Sequence, residues 1–168
     1  MPKAKNMVRW CLNKAKKELE RDGKHRGLIK VKPDDKLAQE HITKAEHNLE
    51  FFMLAKENKF YDWTIVIGFY TMYHCLLSIL AKHGYESRNQ ECTMALVESL
   101  ANDKKVDEIF KKYIDNIRSA AKEEEEQILP MREKYQYTPI IEIDMQKVED
   151  LLGICQDMLK DTKGIIQG

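Results

Sequence analysis

The stretch FYDWTIVIGFYTMYHCLLSILAKHGYESRNQECT, residues 60–93, decides the fold. Its first two-thirds hold Trp63, Ile65, Val66, Ile67, Phe69, Tyr70, Met72, Tyr73, Leu76, Leu77, Ile79 and Leu80, which on a helix put apolar surface on nearly every side. A helix that is apolar all round lies inside a bundle or a membrane. A membrane span needs about 20 predominantly apolar residues, and Asp62, Thr64, Thr71, His74, Ser78 and Lys82 interrupt this run. The stretch therefore predicts the central helix of a soluble bundle, with no membrane association. Asp62 is placed to cap it and Gly84 to end it in a left-handed conformation.

The residues that break the apolar surface are themselves ordered. Thr64, Gly68, Thr71, Cys75 and Ser78 recur at steps of four and three and form one stripe of small side chains. Such a stripe admits another helix backbone, either a second copy across a twofold axis or a neighbour in the same chain.

Outward from this helix, the chain reads as further helices. Residues 5–21 place Val8, Cys11, Leu12, Ala15 and Leu19 on one face, before Gly23 and Gly27. After Pro33, Asp34 and Asp35 suit a helix start, and Leu37, Ile42, Ala45, Leu49, Phe52 and Met53 follow at helical spacing. The spacing of Ser87 and Gln90 fits a capping box for a helix holding Met94, Leu96, Val97 and Leu100, with an Arg88–Glu91 ion pair beside it. A long fifth helix presents Val106, Ile109, Phe110, Tyr113, Ile114, Ile117 and Ala121 and ends in Glu123 to Glu126, a solvated acidic face. The loop MREKYQYTPIIEI, residues 131–143, leads to a last helix from Asp144 with Val148, Leu151, Leu152, Cys155, Leu159 and Ile165 inward. Residues 140–143 make at most one short extended piece. The expectation is an all-α, antiparallel up-and-down helical bundle of four to six helices, with a basic N-terminal helix and linker over residues 1–33 and the bundle proper over 34–168.

With 168 residues the chain is long enough for one core without disulfides or metal. Its charge balances overall but not locally. Residues 1–32 hold eleven Lys or Arg against three acids, a net of +8, which leaves −8 for the remainder. That division predicts either an arm that contacts nucleic acid or one docked on the acidic body. Cys11, Cys75, Cys92 and Cys155 lie far apart with no C-x-x-C pair and read as reduced thiols of a cytoplasmic protein. The five histidines lack metal-ligand spacing, and no glycine-rich phosphate loop, catalytic carboxylate pair or nucleophile elbow occurs. No metal and no cofactor is expected.

Several segments together, KAEHNLEFFMLAKENKFYDW (44–63), FYTMYHCLLSILAKHGYESRN (69–89) and REKYQY (132–137) before an amphipathic helix, resemble the HEPN domain family of archaea and bacteria over about residues 37–168. The resemblance implies a helical bundle that dimerises, in a family found beside minimal nucleotidyltransferases in toxin-antitoxin pairs or acting as metal-independent ribonucleases. Nuclease members carry an arginine and, four to six residues on, a histidine. Here Arg88 stands near the expected corner, but Gln90 holds the place of the histidine. A glutamine amide exchanges no proton near neutral pH and serves as neither general acid nor base.

The candidate site follows from these pieces. Arg88, Asn89 and Glu91 form a polar group at a helix N-terminus, where backbone amides and a cation can hold a phosphate. Tyr73 and His74 stand behind them and Tyr70 beside, with the imidazole as the single best group for chemistry and the phenols as core aromatics or stacking platforms. The expected function is a homodimeric, non-catalytic binding protein that contacts a nucleotidyltransferase-type protein, a nucleotide or RNA, the dimer using the small-residue stripe. The alternative is a ribonuclease in which His74 or Arg88 acts without the family motif.

Overall fold

The computed structural model describes residues 2–118 and 128–168. Among them are seven helices and two three-residue strands: α1 (Pro2–Asp22), β1 (Leu28–Lys30), α2 (Asp35–Glu57), α3 (Tyr61–Lys82), β2 (Tyr85–Ser87), α4 (Gln90–Asn102), α5 (Ile109–Ile117), α6 (Ile128–Tyr137) and α7 (Met145–Gln167). The architecture is the expected all-α bundle. Ala121 and the run Glu123 to Glu126, placed by the sequence at the end of a long fifth helix, lie outside the described residues.

α3 is the axis. It packs against α2, α4, α6 and α7, and Ile65, Met72, Cys75, Leu76 and Ile79 along it are fully buried. It is long and apolar enough to cross a membrane, but 78% of its most apolar window is enclosed by the bundle. Each fully buried Leu or Ile removed from water contributes about 1.5–3 kcal/mol, so this helix and its neighbours fix the interior. The exception is Trp63 in its first turn, 49% exposed. Likewise Leu37 and Met53, expected inward on α2, face solvent, while Ala38, Ile42, Ala45, Phe52 and Ala55 are buried. The inward face of α2 is narrower than its apolar content.

The small-residue stripe of α3 is a seam within the chain and is not open to a second copy. A Cβ on Gly68 would lie 2.6 Å from Leu151 Cδ2 and 3.2 Å from Phe52 Cε2. Cys155 Sγ reaches Gly68 O at 3.5 Å, and Ser78 Oγ donates to Ala38 O at 2.7 Å. α2 runs antiparallel to α3, as the pairs Lys82–Asp35 and His74–His41 show, and α7 antiparallel to α2, as the pairs Lys56–Glu149, Lys163–Glu46 and Gln167–Gln39 show. α3 and α7 are consequently parallel, the chain returning through α4 to α6 between them.

Helix ends follow from local chemistry. Asp34 caps α2 by accepting from Leu37 N at 2.9 Å, and Asp144 caps α7 through Gln146 N. Gly84 sits at φ +78°, where a Cβ would also lie 2.8 Å from Val31 O. α3 departs from expectation, since its N-cap is Phe60 without a side-chain bond, and Asp62 lies in the first turn. α6 replaces the expected loop. Pro130 is its third residue, within the first turn where the missing N–H has no partner to lose.

Two further features depart from the sequence reading. β1 and β2 pair antiparallel, with Leu28 opposite Ser87 and Lys30 opposite Tyr85, where no strand pair was expected; residues 140–143 form no strand, which the reading of at most one short extended piece allows. Cys11 and Cys92 form a disulfide that joins α1 to α4, whereas Cys75 and Cys155 are buried free thiols. Burial pushes the Cys75 thiol up to about 12, partly offset by Thr162. α1 lies on α4 and β1 through Ala4, Cys11 and Ala15, each at most 3% exposed. Its docking is apolar and covalent, and no ion pair joins it to the acidic body among the described residues.

Candidate functional site

The chain leaves α3 at His83, turns at Gly84, runs through β2 and enters α4. Asn89, with extended backbone at φ −141° and ψ 125°, is the N-cap, its Oδ1 accepting from Cys92 N at 2.9 Å. The capping-box reading of Ser87 with Gln90 is thereby corrected: α4 begins at Gln90, so Ser87 is two residues too early to cap it. Ser87 instead belongs to a hydroxyl relay. The Tyr73 hydroxyl lies 3.2 Å from Thr93 Oγ1, which donates to Ser87 Oγ at 2.8 Å, and Ser87 Oγ donates to Asn89 O at 3.0 Å. The fold thus brings Tyr73 and Asn89 into one relay. Burial raises the Tyr73 pKa, with the bond to Thr93 acting against it. The Tyr73 ring stacks on Phe69 at 5.9 Å and 8°, and the Arg132 guanidinium lies 4.5 Å from the Phe69 centroid.

Arg88 stands at the rim, its side chain 56% exposed. Its backbone N donates to Gly27 O at 2.8 Å, and its Nε to Glu86 Oε1 at 3.1 Å. The same carboxylate oxygen meets His25 Nε2 at 3.0 Å. The expected Arg88–Glu91 pair does not form. Glu91 joins Arg118 at 3.0 Å, and Arg118 also binds Glu98, because α4 turns Glu91 toward the end of α5 while β2 keeps Glu86 beside Arg88. The buried Nε atoms of Arg118 and Arg132 carry no hydrogen bond.

His25 was not among the sequence candidates, and only the β1–β2 pairing reveals it. It is 3% exposed. Its Nδ1 accepts from Gly27 N at 3.3 Å, so the proton sits on Nε2 and is donated to Glu86. Both ring nitrogens are occupied.

His74 is not part of this corner. One residue from Tyr73, it points about 100° away and meets His41 of α2, the two Nδ1 atoms 3.0 Å apart. One ring donates and the other accepts, so neither Nδ1 is free. Burial first, then His41 and Lys44, push the His74 pKa down to about 4; burial also lowers that of His41, against Glu40. His41, unlike His74, lines a groove of about 410 Å³ with Leu37, Leu77, Tyr85, Glu86 and Ser87. Its place on the α2 face four residues after Leu37 is the signal that could have found it. Tyr70 packs edge-on to Phe69 at 5.2 Å and 79° and serves the core.

The site is therefore a polar corner on a helical bundle that presents the Arg88 guanidinium outward and keeps His25 inward. The family model for the HEPN domain matches residues 38–165. The chain belongs to the HEPN domain family, which at family level connects it with nucleotide- or RNA-related function. No curated protein and no solved structure matches the chain. α1 and β1 precede the matched residues.

Proposed function

We propose that this chain is a homodimeric, cytoplasmic binding protein that contacts RNA or a nucleotide at the Arg88 corner, beside a nucleotidyltransferase-type partner in a toxin-antitoxin-type system, and catalyses no reaction. What carries the reading is the state of the histidines. The one imidazole drawn to Arg88, His25, is enclosed with both nitrogens bonded. His74, pushed down to about 4, is a neutral imidazole near neutral pH and offers no imidazolium proton as a general acid, and its Nδ1 is engaged with His41. Among the described residues the Arg88 side chain is bonded through Nε, to Glu86, which leaves its terminal nitrogens for a phosphate. With the α3 stripe closed, the surface proposed for a second copy is the apolar group Phe51, Leu54, Phe60 and Trp63 around the α2–α3 turn, each about half exposed. A cytoplasmic place and the disulfide coexist readily in intracellular proteins of hyperthermophiles, whereas in a reducing mesophile cytosol such bonds are rare.

The test is incubation of purified protein with mixed RNA in chelator. RNA should stay intact and be retained by the protein, and Arg88→Ala should weaken retention about tenfold while leaving the circular dichroism unchanged. Cleavage that disappears in His74→Ala would establish the ribonuclease instead. Light scattering of Trp63→Glu should show a monomer.

A further inference from the structure

We infer that the outer face of α1 is a docking surface for single-stranded RNA, with Trp10 as a stacking platform and Lys14, Lys17 and Arg21 as phosphate contacts. The inference rests on the RNA reading above but concerns a surface outside the residues that the family model matches.

The first support is the way α1 is held. Its inner face is closed against α4 and β1 and fastened by the Cys11–Cys92 disulfide, so its outer face has a fixed orientation. The second is charge. Were the +8 of residues 1–32 a means of clamping onto the acidic body, its cations would meet body carboxylates. The ion pairs of α1 are instead local, Lys14–Glu18 at 3.8 Å and Arg21–Asp22 at 2.7 Å. Among the described residues no cation of α1 meets a carboxylate of the body, and the positive excess of this helix faces outward, where it suits a polyanion.

The third is placement. Trp10, Lys14, Lys17 and Arg21 recur at steps of four, three and four and fall within about 60° of helix arc. With Asn13 and Glu18, the latter paired with Lys14, they line a shallow groove of about 430 Å³. At 1.5 Å per residue, Trp10 to Arg21 spans about 16 Å. Trp10 is 52% exposed, with Lys14 Nζ 5.1 Å from its ring centroid. An exposed aromatic ring among cations fits the stacked bases and tracked backbone of a single strand, whereas a duplex keeps its base faces covered. A membrane surface fits poorly, because it requires a free apolar helix face and that of α1 is spent on α4.

Binding of a fluorescent single-stranded RNA to the full-length, oxidised protein tests the assignment. Neutralising Lys14, Lys17 and Arg21 to Gln should weaken binding at least tenfold and reduce the slope of log affinity against log salt by about 2, since each phosphate contact on a single strand contributes about 0.7. Trp10→Ala should weaken binding about tenfold with the slope unchanged. Affinity within twofold of the parent in both variants overturns the inference. So does displacement of the label by single-stranded DNA, duplex RNA or anionic vesicles at lower concentration than by unlabelled RNA. Arg88→Ala separates the two sites. Loss there alone overturns the α1 surface and leaves the corner, loss in the α1 variants alone does the reverse, and a parent protein that binds no RNA overturns both.

Discussion

α1 and α3 are nearly equal in length, 21 and 22 residues, yet they do opposite work. α3 is enclosed by four helices, and its small residues let α7 and α2 approach its backbone. α1 touches the body along one face and turns Trp10 and most of its cations to water. The difference teaches where stability and recognition sit in this molecule. A helix apolar on every side has no surface to offer a ligand, while one with a narrow inner stripe can carry charge outward at little cost to the core.

The contrast can be broken most forcefully at the axis. Leu76→Ala in α3 should lower the unfolding free energy in urea by about 2–5 kcal/mol, whereas Leu12→Ala, at a half-buried position of α1, should cost less than half as much. Equal losses would mean that α1 is as much a part of the core as α3. Reduction of the Cys11–Cys92 bond, or its replacement by Ser at both positions, should cost about 2–4 kcal/mol. Faster hydrogen exchange should then appear in α1 and α4 and leave α3 protected. Gly68→Ala forces a methyl to within 2.6 Å of Leu151 and should cost about 1–3 kcal/mol.

The smallest effect is on pH dependence. The folded-state pKa of His74, about 4, lies below the ordinary value near 6.5. The unfolded chain therefore takes up the proton first as pH falls. Stability is full above about 6.5 and declines toward about 4, and the thermal midpoint should drop by a few degrees over that window. His74→Gln should flatten the curve; an unaltered slope would place the titration elsewhere.

The parts of the fold legible in the sequence are those with strong local signals. α3 is marked by its unbroken apolar surface, α2 and α7 by the caps Asp34 and Asp144, and the turn after α3 by Gly84. α6 was hidden because Pro130 reads as a helix stop, although a first-turn proline costs nothing. The strand pair was hidden because three-residue strands show no alternation and lie far apart in sequence. The disulfide joins positions 81 residues apart, and pairing cannot be deduced from spacing. Within the candidate site, Tyr73, Arg88 and Asn89 come together because a tight turn links their elements. His25 at the corner could not be placed before the packing of β1 was known, and His41, although its spacing from Leu37 sets it on the same face of α2, could not be paired with His74 before the packing of α2 on α3 was.

The bond between Cys11 and Cys92 also makes a covalent ring that encloses β1, α2, α3 and β2. A single protease cut anywhere in that ring, for instance between β1 and α2, yields two pieces that migrate together until a thiol reagent parts them. The chain can thus be nicked in its connecting segments without shedding its first helix.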